Sequence, residues 1–161
     1  MILRALLAFV ALPGVVAFAV PLAIVTYSGA HLRLSVVGVV IFTIGLSGLL
    51  WCVHSFYVSG QGTLAPWSPP KRLVVVGLYR YSRNPMYVSV LILLVGWSVL
   101  FQSVEVAIYA ALITLGFHIR VVVGEEPWLA RTHGLEWAQY IERVPRWFVL
   151  PSNSKRSTND Q

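Results

Sequence analysis

The stretch that decides the fold runs from residue 84 to residue 126 and reads NPMYVSVLILLVGWSVLFQSVEVAIYAALITLGFHIRVVVGEE. It contains two apolar runs, residues 85–101 and 104–123, which are separated only by Gln102 and Ser103. A helix needs about 20 mostly apolar residues to cross a bilayer, and so short a link forces the second run to return antiparallel to the first. The pattern therefore predicts a helical hairpin in a membrane.

Two further apolar runs, residues 5–27 and 34–58, precede this hairpin. The whole chain has 161 residues, of which 57% are hydrophobic and 11% are charged, whereas soluble domains carry about 25% charged residues. A chain with so few charges cannot cover a water-facing surface with polar groups. We therefore predict an all-α integral membrane protein with four transmembrane helices, the last two forming the hairpin.

The first run has a second interpretation. Arg4, the apolar stretch and the small residues 28–30 could form a signal peptide with its cleavage site. The apolar core of a signal peptide is about 7–15 residues long, and this run is longer. A membrane span is the better interpretation.

The distribution of lysine and arginine predicts the orientation of the spans. With four spans, every one of the 12 basic residues except Arg33 falls on the side that holds both termini and the loop between the second and third spans. The positive-inside rule makes that side cytoplasmic. We attribute the net charge of +6 to attraction for anionic lipid headgroups rather than for nucleic acid.

The remaining segments complete a single predicted domain over residues 1–151. Apolar residues at helical spacing in residues 128–143 predict an amphipathic helix at the membrane interface. Residues 152–161 are polar and are predicted to be disordered. Residues 60–87 and 124–147 are the predicted cytoplasmic elements, on the same side as both termini.

The segment GLYRYSRNPMY, residues 77–87, precedes the third span. Asn84 is a favourable N-cap residue and Pro85 suits the first helical position. Arg80 and Arg83 satisfy the positive-inside rule, and tyrosines are common at the headgroup level. On its own, this segment is explained by a helix start anchored at the membrane surface.

The adjacent acids Glu125 and Glu126 change that interpretation, because they follow the fourth span. The antiparallel hairpin should bring them next to Arg83 and Asn84. Pro127 disfavours helical geometry at the residue before it, so we predict a helix break at Glu126. A helix N-terminus, arginines, glutamates and aromatic rings in one place suit S-adenosylmethionine, although a nucleotide or a phospholipid headgroup would satisfy some of these groups.

Taken in order, GLYRYSRNPMY, an apolar hairpin and EEPWLARTHGLEWAQYIERVPRW resemble the isoprenylcysteine carboxyl methyltransferase and phospholipid methyltransferase superfamily, from about residue 60 to about residue 150. The resemblance implies a small integral-membrane methyltransferase that uses S-adenosylmethionine at the cytoplasmic end of the last hairpin. The cofactor-binding residues that it implies are Lys71, Arg72, Leu73, Val74, Tyr79, Arg83, Asn84, Pro85, Met86, Tyr87 and Glu125.

Three further residues are candidates for the reaction itself. The resemblance implies an arginine that faces the substrate, for which Arg120 and Arg146 are candidates, although both could instead contact lipid headgroups. Glu126 is a candidate base for an amine or thiol acceptor. The family often has histidine at the position of Asn84 and phenylalanine at that of His133, and either histidine or asparagine can donate a hydrogen bond.

The expected partners are the lipid bilayer and a hydrophobic or lipid-linked methyl acceptor, with no nucleic acid. The histidines do not have metal-ligand spacing with cysteine or acidic residues, so no metal site is predicted. The best-known acceptor of the superfamily is the carboxylate of an isoprenylcysteine. The alternatives are a phospholipid N-methyltransferase, an NADPH-dependent membrane reductase and a non-catalytic membrane protein.

Overall fold

The computed structural model describes residues 10–59 and 73–147, and every regular element within these two stretches is helical. In chain order the elements are a π-helical segment (Val10–Ala19), α1 (Val20–Tyr27), α2 (Val36–Ser59), a 3-10 turn (Gly77–Arg80), α3 (Pro85–Phe101), α4 (Val104–Ile119), a second π-helical segment (Arg120–Glu125) and α5 (Glu126–Arg143).

Two helices are long and apolar enough to cross a membrane by length and composition, Val36–Ser55 and the continuous helix Val104–Arg143. Two others, Pro13–Tyr27 and Pro85–Phe101, are apolar but shorter. The predicted all-helical architecture is confirmed for the described residues, and these helices are consistent with a membrane protein. Four spans and their orientation remain predictions.

Helices α2 and α3 pack antiparallel, and glycines bring their backbones into contact. A Cβ atom on Gly45 would lie 2.5 Å from the backbone nitrogen of Leu93, and one on Gly96 would lie 2.7 Å from that of Phe42. Favourable non-bonded contacts of carbon require about 3.5–4.0 Å, so a larger residue at either position would force the helices apart. Small residues are the usual means of close packing between membrane helices.

The predicted hairpin between α3 and α4 is present. Its turn consists of Gln102, which has a left-handed backbone (φ 47°), and Ser103. The hydroxyl oxygen of Ser103 caps α4 by accepting the N–H of Val106 at 3.2 Å. The antiparallel return places the first residues of α3 beside the last residues of α4.

The predicted helix break at Glu126 is wrong. Glu126 has helical backbone angles (φ −62°, ψ −45°), and its N–H donates to the carbonyl oxygen of Val121, five residues earlier. In a regular α-helix the ring of Pro127 would clash with the carbonyl four residues before it. The wider π-helical turn from Arg120 to Glu125 precedes the proline directly and lets the helix continue.

Helix α5 bends at Gly134, where the backbone is not helical (φ 47°, ψ −114°). A straight helix of these 18 residues would be about 27 Å long. Glu126 at its start nevertheless forms an ion pair of 2.7 Å with Arg146, three residues beyond its end. The bend therefore returns the second half of α5 towards its beginning, and a small core forms from Trp137, Tyr140, Val144, Leu73 and Leu129.

We predict that Gly45→Ala or Gly96→Ala destabilises the protein by about 1–3 kcal/mol, because the added methyl overpacks the contact between α2 and α3. Thermal unfolding of the purified protein in detergent measures this change. Gly116→Ala is the matched control, since a Cβ there would meet nothing within 4 Å. Equal stability of all three variants would contradict the packing described here.

Tyr140 supplies a second prediction. Its hydroxyl donates to the carbonyl oxygen of Tyr79 at 2.7 Å, and burial raises its pKa from the ordinary 10.0 to about 12, partly offset by the positive charge of Arg83. Because the pKa of Tyr140 is raised in the folded state, its neutral hydroxyl contributes its full stability below about pH 10. This contribution is lost as the pH rises to about 12.

Tyr140→Phe should therefore cost about 1 kcal/mol near neutral pH and should lose less stability than the wild type between about pH 10 and pH 12. Thermal unfolding of both proteins across this range makes the comparison. Tyr81→Phe is the control, because Tyr81 is exposed. Parallel pH profiles for wild type and Tyr140→Phe would refute the proposed contribution.

Candidate functional site

The start of α3 and the end of α4 lie side by side, as the hairpin requires. The hydroxyl of Tyr87 donates to Glu125, and Nη1 of Arg83 donates to Oε1 of Glu126 at 2.9 Å. The predicted approach of Arg83 and Asn84 to the two glutamates is thus present in the structure. We call this region, with residues 79–87 on one side and 120–126 on the other, the hairpin mouth.

Glu125 lies in a partly open cluster at the hairpin mouth. Nε of Arg120 donates to Oε1 of Glu125 at 2.8 Å and to the hydroxyl oxygen of Tyr87 at 3.1 Å. The π-helical turn explains the first contact, because residues five apart lie in register in its i→i+5 pattern. Phe117 stacks on Tyr87, with ring centroids 4.3 Å apart, and so holds the phenol ring that contacts Glu125.

Glu126 lies between two arginines and is more enclosed, with 16% of its side chain exposed. Oε1 accepts hydrogen bonds from Arg83 and from Nε of Arg146 (2.8 Å), and Oε2 accepts one from Nη2 of Arg146 at 2.7 Å. The hydrogen bond to Glu126 raises the pKa of Arg146. The guanidinium of Arg83 also lies 5.7 Å from the ring centre of Trp137, a cation–π distance.

Asn84 is at the N-cap position of α3 and Pro85 is its first residue, as predicted, but the asparagine side chain makes no capping hydrogen bond. Its amide instead donates to the carbonyl oxygen of Arg146 at 3.1 Å. The buried hydroxyl of Ser82 donates to the same oxygen at 3.3 Å and accepts the N–H of Asn84 at 3.1 Å. The predicted capping bond is therefore replaced by a link to the segment after α5.

The other predicted site residues surround the hairpin mouth at different depths. Tyr79 is buried with Val74 and Cys52, with Met86 packed against them, and burial raises the pKa of its hydroxyl well above the ordinary value. Leu73 packs against the core formed by the second half of α5. Lys71 and Arg72 lie outside the described residues.

Sequence reasoning did not identify Ser82 or Tyr140 as part of this region. Ser82 is fully buried, although its polar neighbours in the sequence suggest a surface segment. Tyr140 lies within residues 128–143, whose amphipathic pattern indicates that one helix face is buried. Such a pattern does not indicate a hydrogen bond to a distant carbonyl. Their only sequence signal is that they lie inside the two motifs, residues 77–87 and 125–147.

The hairpin mouth and the adjacent Arg146 combine two carboxylates, the guanidinium groups of Arg83, Arg120 and Arg146, and aromatic rings within a small region. Such a set can bind both ends of a zwitterionic ligand, since carboxylates suit ammonium groups and guanidinium groups suit carboxylates or phosphates. Within residues 10–59 and 73–147, no three histidine, cysteine or acidic side chains lie together as a metal-binding group would require.

Comparison with known proteins agrees with the motifs. The family of phospholipid methyltransferases matches residues 34–136. The chain is 30% identical over 121 residues to the nickel-cobalt-cadmium resistance protein NccN of Alcaligenes xylosoxydans xylosoxydans, covering 75% of this chain and 51% of that protein. It is 31% identical over 117 residues to the cobalt-zinc-cadmium resistance protein CzcN of Cupriavidus metallidurans, covering 73% and 48% respectively.

The chain spans about half the length of these curated relatives. No solved structure matches it. The family match runs from the start of α2 into α5 and therefore contains both sides of the hairpin mouth. This chain belongs to the phospholipid methyltransferase family, within the membrane superfamily that also contains the isoprenylcysteine methyltransferases.

Proposed function

We propose that this protein is a membrane methyltransferase that uses S-adenosylmethionine and methylates a lipidic or other hydrophobic acceptor, most like isoprenylcysteine carboxyl O-methylation. The observation that carries the proposal is the contact between the start of α3 and the glutamate pair, through Tyr87–Glu125 and Arg83–Glu126. It unites the two motifs inside the region that matches the family.

The residues of the hairpin mouth fit the chemical groups of this cofactor. The carboxylate of Glu125, 31% exposed, suits the cofactor's ammonium. The N-terminus of α3 suits its carboxylate, because the side chain of Asn84 is turned away and does not cap that helix. The proposed cofactor-binding set is Lys71, Arg72, Leu73, Val74, Tyr79, Arg83, Asn84, Pro85, Met86, Tyr87 and Glu125.

When bound, the cofactor supplies a methyl group activated by its sulfonium centre. The protein's task is then mainly to hold the acceptor in line with that methyl group, since orientation can provide much of the acceleration. Tyr87 and Arg120 both contact Glu125, so the hairpin holds in place the carboxylate that we propose for the cofactor's ammonium. We propose that the acceptor enters laterally from the lipid, between the last two apolar helices, on the cytoplasmic side.

The surroundings of Glu126 bear on the acceptor. Both of its oxygens accept hydrogen bonds from guanidinium groups, so a proton taken from an acceptor would have to replace one of these bonds. A carboxylate acceptor arrives ionised and needs no base. This favours O-methylation of a carboxylate, with the half-exposed Arg120 as the proposed partner of its negative charge.

Phospholipid N-methylation is the second candidate, because the matching family is described as phospholipid methyltransferase. An ammonium acceptor must lose a proton before it can attack the methyl group, and Glu126 is the candidate base for that step. Transfer of labelled methyl from S-adenosylmethionine to a total lipid and small-metabolite extract, with identification of the product, distinguishes the two acceptors.

We predict that Glu125→Ala or Tyr87→Phe weakens binding of S-adenosylmethionine, by about tenfold or more for the glutamate, because hydrogen bonds and ion pairs to charged groups contribute about 1.5–3 kcal/mol each. Binding of labelled cofactor to purified protein measures the affinity. Glu142→Ala is the matched control, since Glu142 is an exposed glutamate on α5. Unchanged affinity in Glu125→Ala would show that the cofactor site is misplaced.

The same assay separates this proposal from the remaining alternatives. A reductase would bind NADPH in preference to S-adenosylmethionine, and a non-catalytic membrane protein would bind neither. Binding of S-adenosylmethionine by the wild type is therefore the first result that the proposal requires.

For Arg120 we predict that alanine raises the acceptor KM by roughly tenfold for a prenylated cysteine carboxylate, through loss of a charge-assisted hydrogen bond. Arg120→Lys should recover part of this loss because it keeps the charge. Steady-state kinetics at saturating cofactor provides the measurement, with the exposed Arg131→Ala as control. If the acceptor KM is the same in Arg120→Ala and wild type, Arg120 does not bind the acceptor.

A further inference from the structure

Arg146, directly after α5, contacts both sides of the hairpin mouth. Its guanidinium grips Glu126 through two hydrogen bonds of 2.8 and 2.7 Å. Its carbonyl oxygen accepts hydrogen bonds from Ser82 and Asn84 at 3.3 and 3.1 Å. Arg146 therefore contacts both the segment before α3 and the beginning of α5, which Arg83 and Glu126 also join directly.

Neighbouring contacts hold the segment before α3 against the end of α5. The N–H of Arg83 donates to the carbonyl oxygen of Pro145 at 2.9 Å, and Tyr140 donates to Tyr79 as described above. These bonds form only because α5 bends at Gly134 and returns. Residues 140–146 thus lie along residues 79–84, the segment that carries three of the proposed cofactor residues, Tyr79, Arg83 and Asn84.

The contacts of Arg146 differ from those expected of a residue that binds the methyl acceptor. Two of the three guanidinium nitrogens, Nε and Nη2, are engaged with Glu126 in the forked geometry that favours a carboxylate partner. About one third of the side chain is exposed, whereas Arg120 is more open. Arg120 also has a carboxylate partner, Glu125, but binds it through Nε alone, whereas Arg146 uses two nitrogens to bind Glu126.

We propose that Arg146 is a positioning residue that fixes the two sides of the hairpin mouth relative to each other, and that it acts on cofactor affinity rather than on the acceptor or the chemical step. The inference rests on the proposed function for the identity of the cofactor. Arg146 fixes Asn84 through its carbonyl oxygen and Glu126 through its side chain, and Glu125 is the residue immediately before Glu126.

We call the contacts of Arg146 with Glu126, Ser82 and Asn84 the brace. Their chemistry predicts what removal of the guanidinium does. Without the guanidinium, Arg83 alone neutralises Glu126, and the segment after α5 loses its attachment to the start of that helix. The carbonyl that receives Ser82 and Asn84 then loses its fixed position. Cofactor binding must then order these segments, and the free energy that this costs lowers the affinity for the cofactor. Once the cofactor is bound, the surroundings of the reacting atoms are unchanged.

The test uses the full chain in lipid nanodiscs and compares Arg146→Ala, Arg146→Lys, Ser82→Ala and the double variant Arg146→Ala/Ser82→Ala. We expect Arg146→Ala to weaken S-adenosylmethionine binding by about tenfold, with kcat at saturating cofactor and the acceptor KM both unchanged. Arg146→Lys should restore part of the affinity by keeping the charge. Arg143→Ala is the matched control, because Arg143 is exposed at the end of α5.

Ser82 and Arg146 should behave as one unit, so the double variant should bind cofactor about as well as the weaker single variant. A raised acceptor KM or a lowered kcat with unchanged cofactor affinity in Arg146→Ala would overturn the positioning role. Strictly additive effects of Arg146→Ala and Ser82→Ala would also overturn it.

A second measurement separates the brace from the proposed function. Thermal unfolding without cofactor compares Glu126→Gln, Arg146→Ala and their combination, and non-additive destabilisation supports the brace. If the wild type fails to bind S-adenosylmethionine, the proposed function falls, and with it the role in cofactor affinity. Additive unfolding effects alongside normal cofactor binding would overturn the brace alone.

Discussion

The carboxylate of Glu126 is the point on which the arrangement of the candidate site depends. It accepts hydrogen bonds from Arg83, before α3, and from Arg146, after α5. Three segments that are distant in sequence are therefore held around one negative charge with little solvent contact. A partly buried carboxylate requires such partners, because its desolvation is costly unless cations and hydrogen-bond donors replace water.

This ion-pair cluster needs a rigid support, and the contact between α2 and α3 provides it. Glycines at positions 45 and 96 let the two backbones touch, which fixes where α3 begins. Helix α2 also positions the turn before α3, since a Cβ on Gly77 would lie 2.9 Å from the hydroxyl oxygen of Ser55 on α2. Gly77 has a φ of +59°, which favours glycine. The apolar helices thus position the polar residues of the hairpin mouth.

The π-helical turn from Arg120 to Glu125 links the fold to the chemistry of the site. It lets the helix continue past Pro127, and it places Arg120 in contact with Glu125. π-helical insertions often occur at functional sites, and this one lies within the family match. The same distortion therefore accommodates the proline and arranges the charged pair.

The sequence by itself determined the helical class, the hairpin and the approach of Arg83 to the glutamate pair, because apolar length and a two-residue link leave few other arrangements. The tertiary structure alone decided that the helix continues through Glu126, that Asn84 binds the carbonyl of Arg146 rather than capping α3, and that Arg146 returns to Glu126. The physical reason is that these outcomes depend on a π-turn and on a bend at Gly134, where small changes in backbone angles bring together residues that no periodic pattern connects.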